Sequence, residues 1–74
     1  MDLTLLKEKC IEISYCFYQE RIQEGLGMLE NVLGMVLQVP AFCDVINPLL
    51  EAVEKKDYVL VADIFYHEMA MQIG

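Results

Sequence analysis

The residues best placed to do chemistry stand near the end of the chain: Asp63, His67 and Glu68. On a helix, Asp63 and His67 are four apart and share a face. That spacing sets a carboxylate beside an imidazole, or two metal ligands side by side. The chain carries one His, whereas a di-iron bundle needs Glu-x-x-His motifs on two helices. The trio therefore reads as the thin solvated face of a last helix, and no metal or cofactor is expected. Cys10, Cys16 and Cys43 have no CxxC spacing. Cys10 and Cys16 are six apart, on different sides of a helix. All three read as small buried hydrophobes in a reducing compartment. Tyr15, Tyr18, Tyr58 and Tyr66 have no interleaved Lys or Arg, so they read as rim or core residues rather than base-stacking platforms. No Ser-His-Asp set, phosphate loop or pair of catalytic carboxylates can be read, and no enzyme is expected.

These side chains sit on a chain with more apolar residues than it can bury. Of its 74 residues 57% are hydrophobic, yet the formal net charge is −7. A typical domain is roughly 45–50% apolar, and one this small buries only about 60% of its unfolded surface. Some apolar surface is left facing outward. Five Lys and Arg against twelve Asp and Glu argue against phosphate binding, and so against nucleic acid and an anionic membrane surface. The longest candidate span, 26–43, is broken by Glu30, Asn31, Gln38 and Pro40. That is short of the about 20 apolar residues a spanning helix needs. The first residues carry an acid where a secretion signal would carry bases, so a cytoplasmic protein is expected.

The elements that must position these residues read as helices. Leu6, Cys10, Ile13 and Phe17 recur at steps of four, three and four, the helical period. Leu3 extends this stripe over a first helix at 3–18, with Asp2 or Thr4 as its cap. Continued past Phe17, the stripe meets only charge, and a new one starts from Ile22 with Leu26, Leu29, Leu33 and Val36. The phase shift predicts a break near 20–23 and a second helix over 23–39, stopped by Pro40. Val32 and Leu37 join its stripe. Gly27 and Gly34, seven apart, are either tolerated solvent-facing residues or a groove for another helix. Phe42 is expected to turn inward. A third helix over 45–55 is capped by Asp44, or starts at Asn47-Pro48. A fourth over 58–73 is capped by Asp57, with Tyr58, Val61, Ala62, Phe65, Met69 and Ile73 as its core stripe. Its second apolar edge marks it as central or partner-facing.

The chain also echoes itself at an offset of 36 residues. In Phe17–Leu29 and again in Ala52–Phe65, a helix end meets a short charged stretch, then a large apolar residue, then a new helix. This resembles the hairpin junction of tetratricopeptide-type repeats, although most Trp, Gly and Pro positions of that repeat are missing. The echo is support for two helical hairpins. The stretch Lys55-Lys-Asp-Tyr-Val-Leu-Val-Ala-Asp-Ile-Phe-Tyr-His-Glu68 resembles small all-helical bacterial proteins of flagella and motility. The overall plan is similar to acidic, helical flagellar export chaperones. That resemblance implies a chaperone-like role and no site residues.

The expected fold is all-α: a single helical domain, 1–74, forming an antiparallel four-helix bundle from two hairpins. The alternative has three helices, the first two fused into a long rod that pairs with a second copy. The expected function is a protein–protein interaction module, either a homodimer or an adaptor or chaperone taking an amphipathic helix into an apolar groove. Methionine is pliable and suits such surfaces. The candidate partner-binding residues are Met28, Met35, Leu60, Ile64, Tyr66 and Met71. Two alternatives stand beside it: a metal- or small-ligand-binding bundle, and an acidic, antitoxin-like partner of a basic protein.

Overall fold

The chain turns where its apolar stripe changes phase. A computed structural model describes residues 3–73 and shows an all-α bundle: α1 (Leu3–Tyr18), α2 (Ile22–Val36), α3 (Cys43–Glu54) and α4 (Tyr58–Asp63). The α4 helix continues without a break into a π-helical segment, Ile64–Met69, and a 3-10 turn, Ala70–Gln72. A rod fusing α1 and α2 is ruled out by the turn at 19–21. There Glu20 adopts the left-handed conformation, φ 61°. The N–H of Arg21 donates to the Cys16 carbonyl at 2.8 Å, and that of Glu20 to Phe17 at 3.2 Å. This six-to-one, five-to-two pattern is a Schellman motif, which satisfies the last carbonyls of a helix. The α3–α4 turn repeats it 36 residues on. Lys56 has φ 59°, Asp57 donates to Ala52 at 2.9 Å and Lys56 to Val53 at 3.0 Å. The echo in the sequence is thus the same backbone turn made twice.

The middle connection differs from the expected one. The second helix starts at Ile22 and ends at Val36, three residues before the expected limit. Pro40 forces the residue before it to be extended, and Val39 accordingly has φ −110° and ψ 103°. A 3-10 turn, Pro40–Phe42, then feeds directly into α3. So α3 begins at Cys43, not 45 or 47, and Phe42 occupies the N-cap position. Asp44 lies in the first turn, where its charge still suits the helix dipole, and Pro48 lies inside the helix. Asp57 caps α4 as expected, accepting from the Leu60 N–H at 3.3 Å. Thr4 is inside α1, and the other candidate cap, Asp2, lies outside the described residues.

One core serves all four helices. Leu6, Cys10, Ile13 and Phe17 of α1 are buried with Val32, Val36, Phe42, Leu49, Val61 and Phe65. The α1 helix is central, lying against α2 on one side and α4 with its continuation on the other, while α3 lies on α4. With fewer neighbours, α2 leaves Ile22, Leu26, Leu29 and Leu33 half-buried and Leu37 exposed. The last helix was expected to be uniformly α. Its π turn, about one residue wider than an α turn, brings Ile64, Phe65, Met69 and Ala70 all into the core.

Among the described residues no single helix is long and apolar enough to cross a membrane. Only α2 with the Pro40–Glu54 stretch reaches that content, and the two are bent by 118°.

Candidate functional site

The antiparallel hairpins give the molecule two unlike ends. Both Schellman turns lie at one. The other is formed by the start of α1, the α2–α3 connection and the end of the last helix. This second end holds a cleft of about 750 Å³. Its apolar lining is Leu3, Val39, Ala41, Phe42, Val45 and Ile73. Thr4, Asp44, Glu68 and Gln72 supply the polar part. Among the described residues the charges on the cleft are two carboxylates, Asp44 and Glu68. Pro40 is the local cause: it extends Val39 and starts the 3-10 turn that separates the α2 and α3 ends. The apolar lining suits an apolar side chain, and the acids suit a cation beside it.

A second cluster lies on the seam between α1 and the last helix. Tyr15 and Tyr18 stand three apart on α1, Asp63 and Tyr66 three apart opposite them. The Tyr18 hydroxyl donates to Asp63 Oδ1. The Tyr15 and Tyr66 rings have centroids 6.3 Å apart, tilted by 35°, and the edge of His67 meets Tyr66 at 5.0 Å. Partial burial of the phenol, then the hydrogen bond to Asp63 and its charge, push the Tyr18 hydroxyl up to about 12. Tyr18 therefore stays a donor at neutral pH. Asp63 makes no ion pair among the described residues; the three ion pairs found there, Lys9–Glu12, Arg21–Glu24 and Lys55–Glu51, lie elsewhere.

The residues expected to bind a partner fall into three groups. Leu60 and Met71 are exposed, 43% and 56%. Met28, Met35 and Tyr66 are half-buried, with both methionines packed on the core. Ile64 is a core residue at 5% exposure, which corrects its assignment to a binding surface: the π turn rolls it inward. The six form no common pocket lining. Gly27 and Gly34 face open space, with nothing within 4 Å of an added Cβ. Asp63 has Tyr18, not His67, as its partner. Among the described residues no three His, Cys, Asp or Glu side chains gather as a metal ion requires.

The cysteines are only partly as expected. Cys10 is buried, and burial pushes its thiol up to about 11. Cys16 is buried, with its Sγ 3.9 Å from Met28 Sδ. Cys43 is exposed, because it opens α3 at the molecular end rather than lying within a stripe. Sequence reasoning missed both the cleft and the tyrosine seam. The cleft has no sequence signature. The seam had one: two i,i+3 polar-aromatic pairs, Tyr15/Tyr18 and Asp63/Tyr66, on helices bound to run antiparallel.

The chain matches no protein-family model, no curated protein and no solved structure.

Proposed function

We propose that this protein is a cytoplasmic helical interaction module that works by binding: its cleft takes the apolar face of a basic amphipathic helix from another protein. The observation that carries this reading is the cleft of about 750 Å³ with an apolar lining and, among the described residues, Asp44 and Glu68 as its charged groups. Recognition of an amphipathic helix needs apolar anchors and a complementary rim. The net charge of −7 favours a basic partner over an acidic one or nucleic acid. The role is that of an adaptor or chaperone, which agrees with the resemblance to flagellar export chaperones.

The test is fluorescence anisotropy with a labelled peptide bearing leucines on one face and lysines and arginines on the other. The paired substitution Asp44→Lys and Glu68→Lys should weaken binding about tenfold or more at low salt. Equal binding by the wild type and this variant would refute the reading.

Self-association is a second reading, favoured by Val59 and Leu60, 64% and 43% exposed on α4. Sedimentation across concentration distinguishes it: a dimer that Val59→Lys returns to monomer supports this reading.

A further inference from the structure

We propose that Tyr15, Tyr18, Tyr66 and Asp63 form a second site, which receives an arginine side chain of a partner protein. Three tyrosine rings and one carboxylate meet on the seam between α1 and the last helix. Tyr15 and Tyr66 are neighbours at 6.3 Å, their planes tilted by 35°. Tyr18 donates to Asp63 Oδ1 and so holds the carboxylate beside the rings. Tyr15 and Tyr18 remain 48% and 40% exposed, so their rings are open to a ligand.

A guanidinium satisfies both parts of this arrangement. It is attracted to the face of a tyrosine within about 6 Å of the ring centre, and it donates planar N–H groups to a carboxylate. No Lys, Arg or His among the described residues makes an ion pair with Asp63; the pairs found there join Lys9 to Glu12, Arg21 to Glu24 and Lys55 to Glu51. Among the described residues Asp63 is a carboxylate without a counter-ion, beside tyrosine rings on a protein of net charge −7. Arginine suits it better than lysine, because a planar group stacks on a ring and pairs with an acid at once. The inference shares with the proposed function the expectation of a basic partner. It concerns a different surface and can hold if the cleft binds nothing.

The test is a titration of the whole protein with the blocked tripeptide acetyl-Gly-Arg-Gly-amide, followed by NMR of the tyrosine ring protons. The Tyr15 and Tyr66 signals should shift together, while Tyr58, stacked on Phe17, should stay still. Asp63→Asn retains an oxygen for Tyr18 and removes the charge; it should weaken binding about tenfold. Tyr15→Leu keeps the charge and removes one ring; it should weaken binding about two- to fivefold. A blocked lysine tripeptide should bind more weakly than the arginine one. Equal shifts at all tyrosines, or shifts indifferent to both Asp63→Asn and Tyr15→Leu, would overturn the site. Loss of peptide binding at the cleft, with these shifts intact, would refute only the proposed function.

Discussion

The two ends of this bundle are built by opposite means. At the turn end, one backbone solution appears twice, with matching hydrogen bonds 36 residues apart. Phe17 and Tyr58 stack there at 5.5 Å with planes 2° apart, joining one hairpin to the other. The recess over them is about 400 Å³, and its rim mixes Glu20 and Asp57 with Lys56. At the cleft end nothing repeats. A proline and a 3-10 turn sit beside a cleft of about 750 Å³, and both charges that the described residues place on it are acids. At the regular end the last carbonyls of α1 and α3 are satisfied by the backbone turns themselves, while the irregular end leaves apolar surface for something else to cover.

Substitutions at each end put this contrast to the test. The largest effect is expected from Phe17→Ala, which removes the ring shared by the two hairpins. It should cost about 3–5 kcal/mol in chemical denaturation. Ala41→Trp at the cleft end, where Ala41 is exposed on the cleft wall, should stay within about 0.5 kcal/mol of wild type. If the two variants cost the same, the ends are not distinct.

Glycines on α2 give a smaller, signed comparison. A Cβ at Gly25 would lie 2.8 Å from the Phe17 ring, and Phe17 is 3% exposed and already stacked. Gly25→Ala should destabilise by about 1–2 kcal/mol, overpacking outweighing the gain in helix propensity. Gly27→Ala and Gly34→Ala meet only open space and should each stabilise by up to about 1 kcal/mol. Thermal melts of the three single variants decide this, and a stabilising Gly25→Ala would show that the turn end is loosely packed.

The smallest effects test whether the two turns are equivalent. Glu20→Gly and Lys56→Gly relieve the left-handed backbone and should each add up to about 1 kcal/mol. Their caps differ. Asp57→Ala should cost about 1 kcal/mol because its carboxylate accepts from Leu60. Arg21→Ala should lose no cap, since Arg21 makes no side-chain cap bond.

Much of the turn end was legible in the sequence. The stripe Leu6, Cys10, Ile13, Phe17 and its loss of phase before Ile22 mark both the helix and the break, because burial on a helix must follow its period. Asp57 is recognisable as a cap because a short acid between a helix end and an apolar run can accept from the first free N–H groups; the same reading at Asp44 is displaced by the 3-10 turn that starts α3 two residues earlier. The cleft end was not legible. Pro40 announces a stop, but how far back it unwinds α2, and that Phe42 then leads straight into α3, depends on tertiary packing. The π turn at Ile64–Met69 likewise follows from the shape of the core it fills, and it moves Ile64 from an apparent outer edge into that core. The seam of Tyr15, Tyr18, Asp63 and Tyr66 joins residues up to 51 positions apart in sequence, beyond the reach of local periodicity.

Chemical-shift mapping of the backbone amides during titration with the basic amphipathic peptide locates the bound peptide on the bundle. Binding at the cleft predicts that the largest shifts fall at 39–45 and 68–73, that Glu20 and Lys56 stay still, and that Ala41→Trp abolishes the response. Shifts centred on the two turns, or unchanged by Ala41→Trp, would contradict it.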